Sequence, residues 1–255
     1  MDPALYTFIA HKDLPFANPL SEDTMARAAE MLEIVPGAQI VDFGAGFCEL
    51  PIRLATAYLA HVSAVELSPI IAAAARERIH TRVVGLPAGK PRGSVTLFEG
   101  DAGTFRTRLE TASYDVGICI GSTHALGGYE HTLDVLSKIV KPGGSIMVGE
   151  GIWQARPAPA YLHATGIGED EFFTHDRCIE LGIDRKLRPR WAVTATQREW
   201  DEYEWAHHRA IDLFCTTHRD SPDALAMQAR SDAWRKAYYR HGRGTLGFGL
   251  YVFEV

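Results

Sequence analysis

Short apolar runs alternate with amphipathic stretches along the first 150 residues of the chain. Runs rich in Val, Ile, Leu and Phe lie at Gln39–Phe43, 62–67, Ser94–Glu99, Tyr114–Ile120 and 145–149. They are short and apolar almost throughout, which is the pattern of strands covered on both faces. Between them, 51–60, Pro69–Ile79 and 131–139 carry apolar residues at helical spacing. Strand and helix in strict alternation predict βαβ units and a parallel sheet. A helix precedes the first strand: Ser21-Glu22-Asp23-Thr24 supplies cap chemistry, and Met25, Ala28, Ala29 and Leu32 form its apolar face, with Pro36-Gly37 as its stop. Pro142-Gly143-Gly144 predicts a tight turn before the fifth strand.

Beyond Trp153 the pattern changes. Residues 154–190 are rich in Pro, Gly and charge, with one helix expected over 169–181 and a sixth strand over 191–194. Thr196-Gln197-Arg198-Glu199 is a capping box that opens a helix running to about Cys215. Ser221-Pro222 opens another, with proline in its first turn and Gly242 as its stop, and 246–252 is the last strand. The expected architecture is α/β: a Rossmann-like, doubly wound, seven-stranded and mostly parallel sheet with an antiparallel last strand and a helical cap. Three stretches are expected: 1–36 as an arm and helix covering the site, 37–153 as the core, and 154–255 as cap helices with the last two strands. Open α/β sheets bind ligands at the carboxyl ends of their strands, where that cap would lie.

The chain has 255 residues, of which 46% are hydrophobic and 23% charged, enough for a sizeable core without a metal or disulfide staple. A net charge of −6 argues against a nucleic-acid partner, which needs a basic surface. The short basic cluster Arg185, Lys186, Arg188, Arg190 reads as a solvated loop. Cys48, Cys119, Cys178 and Cys215 show neither CxxC spacing nor a disulfide framework, which fits a reducing compartment. No signal peptide and no membrane span are expected, and the expected location is cytoplasmic.

The densest chemical signal is Ile40-Val41-Asp42-Phe43-Gly44-Ala45-Gly46-Phe47-Cys48-Glu49-Leu50, an apolar strand running through a glycine turn into a helix. Without Cβ atoms, Gly44 and Gly46 let backbone approach a ligand closely; a plain tight turn is the alternative. Glu66 follows about 20 residues on, at the end of the second strand, where a carboxylate can accept two ribose hydroxyls. The alternative for Glu66 is a helix-start acid beside Ser68-Pro69. Asp101 closes the third strand and suits either an adenine amino group or a helix cap. A dinucleotide fingerprint places glycine where this chain has Glu49, whose charge would repel pyrophosphate, so a nicotinamide cofactor is disfavoured.

Taken in order, Asp42-Phe43-Gly44-Ala45-Gly46, Glu66, Gly100-Asp101-Ala102 and Lys141-Pro142-Gly143-Gly144 resemble the motifs of class I S-adenosylmethionine-dependent methyltransferases. The resemblance covers roughly residues 38–150. It implies S-adenosyl-L-methionine as cofactor and S-adenosyl-L-homocysteine as product. Gly44 and Gly46 would face the methionine part, Glu66 the ribose, and Asp101 with Ala102 the adenine. Cys119, Ile120 and Gly121 would line the cofactor, and Asp42, Ala45 and Leu67 complete the set. Cys48 departs from the family, which often has a third glycine there.

The flanks resemble a narrower group of uncharacterised small-molecule methyltransferases. The matching pieces are the arm with His11, Phe16, Asn18, Pro19 and Ser21, the stretch 121–128 with His124, Gly149-Glu150-Gly151-Ile152-Trp153, and the end 244–251. The implied partner is a small-molecule acceptor with an O, N or C nucleophile, and the protein is expected as a monomer or homodimer. A non-catalytic S-adenosylmethionine-binding sensor or partner protein is the alternative, and a nucleotide-dependent oxidoreductase a third.

Methyl transfer from a sulfonium is an in-line displacement that needs placement and exclusion of water more than acid–base help. His124 and Glu150, after the fourth and fifth strands, are the base or positioning candidates. His11, Phe16 and Asn18 would fold over the acceptor, with Trp153, Tyr161 and His163 shaping its site. Trp200, Tyr203, His207, Ile211 and Phe214 recur at helical spacing, which reads as core or as an aromatic lid. Tyr203 and His207 are the acceptor candidates on it. His207-His208 point in different directions on a helix, so no metal is expected. The Asn-Pro-Pro-Tyr run of amide and base N-methyltransferases is missing after the fourth strand, where Cys119-Ile120-Gly121-Ser122 stands.

Overall fold

The computed structural model describes residues 1–85, 92–219 and 221–255. Among the described residues, seven strands form one sheet in the order β3-β2-β1-β4-β5-β7-β6. They are β1 (Gln39–Phe43), β2 (His61–Glu66), β3 (Ser94–Glu99), β4 (Tyr114–Ile120), β5 (Val140–Trp153), β6 (Arg188–Thr194) and β7 (Leu246–Glu254). β1 pairs in parallel with β2 and with β4, β2 with β3, and β4 with β5. The bonds from Gly143 N to the Val255 carbonyl and from Val255 N to the Gly144 carbonyl at one end, and from Gln154 N to the Thr245 carbonyl at the other, run β7 antiparallel to β5. The strand order reverses between β1 and β4, and the crevice of an open α/β sheet lies at the carboxyl ends of such strands.

The ten α-helices among the described residues are α1 (Pro3–His11), α2 (Glu22–Glu30), α3 (Glu49–Ala57), α4 (Pro69–Ile79), α5 (Ala102–Arg106), α6 (Tyr129–Ile139), α7 (Pro159–Thr165), α8 (His175–Asp184), α9 (Gln197–Thr217) and α10 (Pro222–Ala237). None of the described helices is long and apolar enough to cross a membrane.

The chain falls into two compact units, each built from discontinuous segments. The sheet unit takes residues 22–150, 176–193 and 249–255. β1 is its centre: Ile40, Val41, Asp42 and Phe43 are all buried. α8 belongs to this unit because Cys178 and Leu181 are buried and Gly182 lies so close to the Phe253 ring that a Cβ there would come within 2.3 Å. The helical unit takes residues 1–21, 151–175 and 194–248. In it Tyr6, Ile9 and Ala10 of α1 pack with Ile211 of α9 and Met227 of α10.

Three local expectations are corrected. The helix expected over 169–181 begins only at His175. Residues 169–173 are instead drawn to the end of β5, where the Glu169 carbonyl accepts the Trp153 indole N–H at 2.8 Å and the Phe173 carbonyl accepts Trp153 N at 2.9 Å. Pro142-Gly143-Gly144 is not a turn before β5 but lies inside it, as an irregularity: 140 to 145 on β5 spans the step from 114 to 116 on β4. Two helices escaped the sequence pattern. α1 is capped by Asp2, whose Oδ1 accepts from Ala4 N at 2.9 Å, with Pro3 in its first turn; α7 starts on Pro159.

Candidate functional site

The glycine turn after β1 is held from two sides. Gly44 N and Ala45 N both donate to the Val65 carbonyl at 2.9 Å, which bends the chain toward β2. Gly44, at φ +73°, lies against Ser122, and a Cβ there would come within 2.2 Å of Ser122 Oγ. Ser122 Oγ also donates to the Phe43 carbonyl at 2.9 Å, so the loop after β4 clamps the end of β1. Gly46, at φ +56°, differs: a Cβ there would meet nothing within 4 Å. Its backbone borders open space, the condition for a ligand to lie against it.

Glu66 ends β2 and is only 8% exposed. Its Oε2 accepts from Gly46 N at 3.0 Å and its Oε1 from Ser68 N at 2.8 Å. Both bonds fix the carboxylate, and since a carboxylate offers about four acceptor sites, it retains acceptor capacity for a ligand hydroxyl. Burial pushes its pKa up, against the pull of the Ser68, Gly46 and Leu67 amides. Asp42, 5% exposed on β1, is lifted to about 7, by burial first and then by the Glu66 charge. Leu67, next to Glu66, leaves its side chain exposed.

Asp101 realises the cap alternative: Oδ1 accepts from Thr104 N at 2.7 Å at the start of α5. Those bonds to Thr104 hold the exposed carboxyl below its usual range. Gly100 N donates to the Glu66 carbonyl at 2.9 Å, so Asp101 and the buried Ala102, which follow β3, lie beside the end of β2. Cys119 is fully buried and its thiol is pushed up to about 12 by burial, so β4 offers a ligand its backbone and Gly121 rather than that sulfur. Gly121, at φ +67°, is exposed and donates its N–H to the Gly149 carbonyl at 2.8 Å. Ile120, between them, is half-buried.

His124 stands exposed in the short helical turn after β4. Glu150, half-buried on β5, accepts the hydroxyl of buried Thr123, the residue before His124. Thus β4 and β5 bring His124 and Glu150 to the same edge of the sheet unit as Gly44, Gly46 and Glu66. Sequence reasoning missed Ser122 and Thr123. Both are hydroxyls whose task is visible only once β4 lies beside β1 and β5.

In the helical unit, His11 Nδ1 lies 2.8 Å from the Thr7 carbonyl and Nε2 lies 2.8 Å from Tyr203 Oη. A carbonyl only accepts, so Nδ1 carries the proton and Tyr203 donates to Nε2. His207 Nε2 lies 3.1 Å from Tyr6 Oη and its ring packs edge-on to His11 at 5.2 Å. Burial lowers both imidazoles, His207 to about 3, with the His11 charge adding to its shift. Ile211 and Phe214 of the same stripe join the core with α1. Trp153 is buried against Tyr161 and Phe172, and its indole N–H is used by Glu169. Phe16 is buried, and Asn18 Oδ1 accepts from Leu20 N at 3.0 Å, a local turn bond. His163 is exposed. Among the described residues no cluster of three His, Cys, Asp or Glu is arranged to hold a metal ion.

Residues 40–144 match the family model described as a methyltransferase domain. Over this stretch, about two fifths of its length, the chain is similar to methyltransferase domains. The uncharacterised protein YjhP of Escherichia coli is 25% identical over 98% of this chain and 97% of its own length. The crystal structure of YjhP superposes with a TM-score of 0.85 at 24% identity, covering 98% of this chain and 99% of that one. A methyltransferase from Thiobacillus denitrificans, solved in complex with S-adenosyl-L-homocysteine, superposes with a TM-score of 0.86 at 23% identity over the full length of both chains. The 27-O-demethylrifamycin SV methyltransferase of Amycolatopsis mediterranei is 25% identical over 68% of this chain and 66% of its own. At these identities the structural likeness establishes the fold, and the likeness to methyltransferases rests on the match over residues 40–144.

Proposed function

We propose that the protein transfers the methyl group of S-adenosylmethionine to a nucleophilic O, N or C atom of a small molecule. The observation that carries this is the pairing of an open glycine backbone with a fixed acid: nothing fills the space over Gly46, and Glu66 is already held by Gly46 N and Ser68 N. S-adenosylmethionine supplies a methyl group on a positively charged sulfur. Gly44, Ala45 and Gly46 offer backbone to the methionine part, with Asp42 beneath them. Glu66 accepts the ribose hydroxyls with its remaining acceptor capacity, and Leu67 offers the adjoining apolar surface. Asp101 and Ala102 border the adenine, and Cys119, Ile120 and Gly121 present the end of β4.

His124 and Glu150 are the groups at this edge able to hold or take a proton from the acceptor, and Thr123 keeps the Glu150 carboxylate in place. In the helical unit, His11, Tyr203 and His207 form the acceptor-binding row, and burial, which disfavours the charged form of both histidines, suits an uncharged guest. Trp153, Phe16 and Asn18 support that unit. The rifamycin-directed relative fits a small-molecule acceptor.

The test is incubation of the protein with deuteriomethyl-labelled S-adenosylmethionine and a deproteinised cell extract, followed by mass spectrometry. A small molecule gaining a trideuteriomethyl group, with S-adenosylhomocysteine formed in step, is the expected result. No labelled metabolite from any extract, although the cofactor binds, would favour a non-catalytic binding protein.

A further inference from the structure

On α9, Trp200, Tyr203 and His207 occupy one face, at steps of three and four residues, with ring centroids 6.4 Å apart from one to the next. Tyr203 is engaged with His11, and His207 with Tyr6. Trp200 is not: it is only 7% exposed, and its Nε1 is buried with no hydrogen-bond partner among the described residues. Other indoles of this unit are satisfied, Trp153 by the Glu169 carbonyl at 2.8 Å and Trp234 by Glu204 Oε2 at 3.0 Å. A buried donor left without an acceptor is costly, and native proteins carry few of them.

An indole N–H only donates, so whatever satisfies it must bring a lone pair. An ammonium guest brings donors and fails that requirement. A carboxylate guest meets Glu204, one turn further along α9 and 3% exposed, whose charge contributes to raising the phenols of Tyr6, Tyr161, Tyr203 and Tyr238. What remains is a neutral oxygen on an apolar body that can lie along the aromatic row.

We propose that Trp200 is the donor of an acceptor subsite that recognises a neutral carbonyl or ether oxygen on an apolar, ring-bearing small molecule. This rests on the reading of His11, Tyr203 and His207 as the acceptor row, and it names the class of molecule that row takes. Trp200 fixes the guest through its N–H, and the Tyr203 ring packs on the guest's body. Tyr203 and His207 spend their own polar atoms on α1, so they shape the row rather than compete for the guest's oxygen.

The test is a titration of the full chain, saturated with S-adenosylhomocysteine, by acetophenone, benzyltrimethylammonium and benzoate, followed by the indole N–H resonances of its five tryptophans. Trp200→Phe assigns the Trp200 signal by its loss. A through-space contact between the acetophenone methyl and an indole proton assigns it in the unmodified chain if that variant fails to fold. Acetophenone is expected to shift the Trp200 resonance downfield and leave that of Trp234 in place, the two ions are expected to leave both unmoved, and Trp200→Phe is expected to weaken acetophenone about fivefold. Equal shifts with all three probes, no shift with acetophenone, or an indole proton contacting only water would overturn the proposal. S-adenosylhomocysteine affinity, measured separately by calorimetry and unchanged in Trp200→Phe, separates this failure from failure of the cofactor reading.

Discussion

Two carboxyls at the end of β1 and β2 carry charge in a place that resists it. Asp42 is lifted to about 7 by burial and by Glu66, and Glu66 is raised by its own burial. A group whose pKa is raised on folding lends its stability below its unfolded pKa and loses it as pH rises through the folded value. The melting temperature of the ligand-free protein is therefore expected to fall between pH 6 and pH 8, by roughly 3 °C or more, and Asp42→Asn is expected to flatten that fall. Parallel melting curves for the two proteins across this range would contradict the assignment. His124, exposed after β4, is expected to act on the acceptor: His124→Ala should slow turnover about tenfold and leave S-adenosylhomocysteine affinity within about twofold. The reverse pattern would remove it from acceptor handling.

At the scale of elements, α9 is fixed by its N-terminus. Thr196 Oγ1 accepts from Glu199 N at 3.2 Å, Glu199 Oε2 accepts from Thr196 N at 2.8 Å, and Glu199 Oε1 holds Ser21 N at 2.9 Å. Thr196→Ala is expected to cost about 1 kcal/mol, read as a melting point lower by roughly 3 °C; an unchanged midpoint would mean the cap is idle. This box was legible in sequence because its residues are local, as were β1, β3, β4 and α4, whose bounds the apolar runs define. α1 was less so: Asp2-Pro3 marks its start, but Tyr6, Ile9 and Ala10 gain meaning only against Ile211 and Met227, far along the chain. The segment 169–173 looked helical by spacing and lost to pairing with Trp153 at the end of β5. Of the residues proposed to hold the cofactor, Gly44, Gly46, Glu66 and Asp101 could be proposed already from order and spacing. Ser122 and Thr123 could not, because their hydroxyls act across strands that sequence does not pair.

At the scale of the whole chain, a net charge of −6 is joined by ion pairs that occupy two of the four cations of the basic cluster. Arg185 pairs with Asp134 and Glu130, and Arg190 with Glu254 and Glu33. Duplex DNA at 0.15 M salt is expected to show no retention at micromolar protein, since the net charge is negative and Arg185 and Arg190 are already committed to carboxylates; a salt-dependent shift at that concentration would contradict this. The cradle formed by Gly46 and Glu66 underlies the rest, and calorimetric titration of S-adenosylhomocysteine into the wild type and Glu66→Ala tests it most directly. Saturable 1:1 binding, weakened at least about tenfold by the substitution through loss of charge-assisted hydrogen bonds, is the expected result. No heat with the wild type, or equal affinity in both proteins, would contradict it.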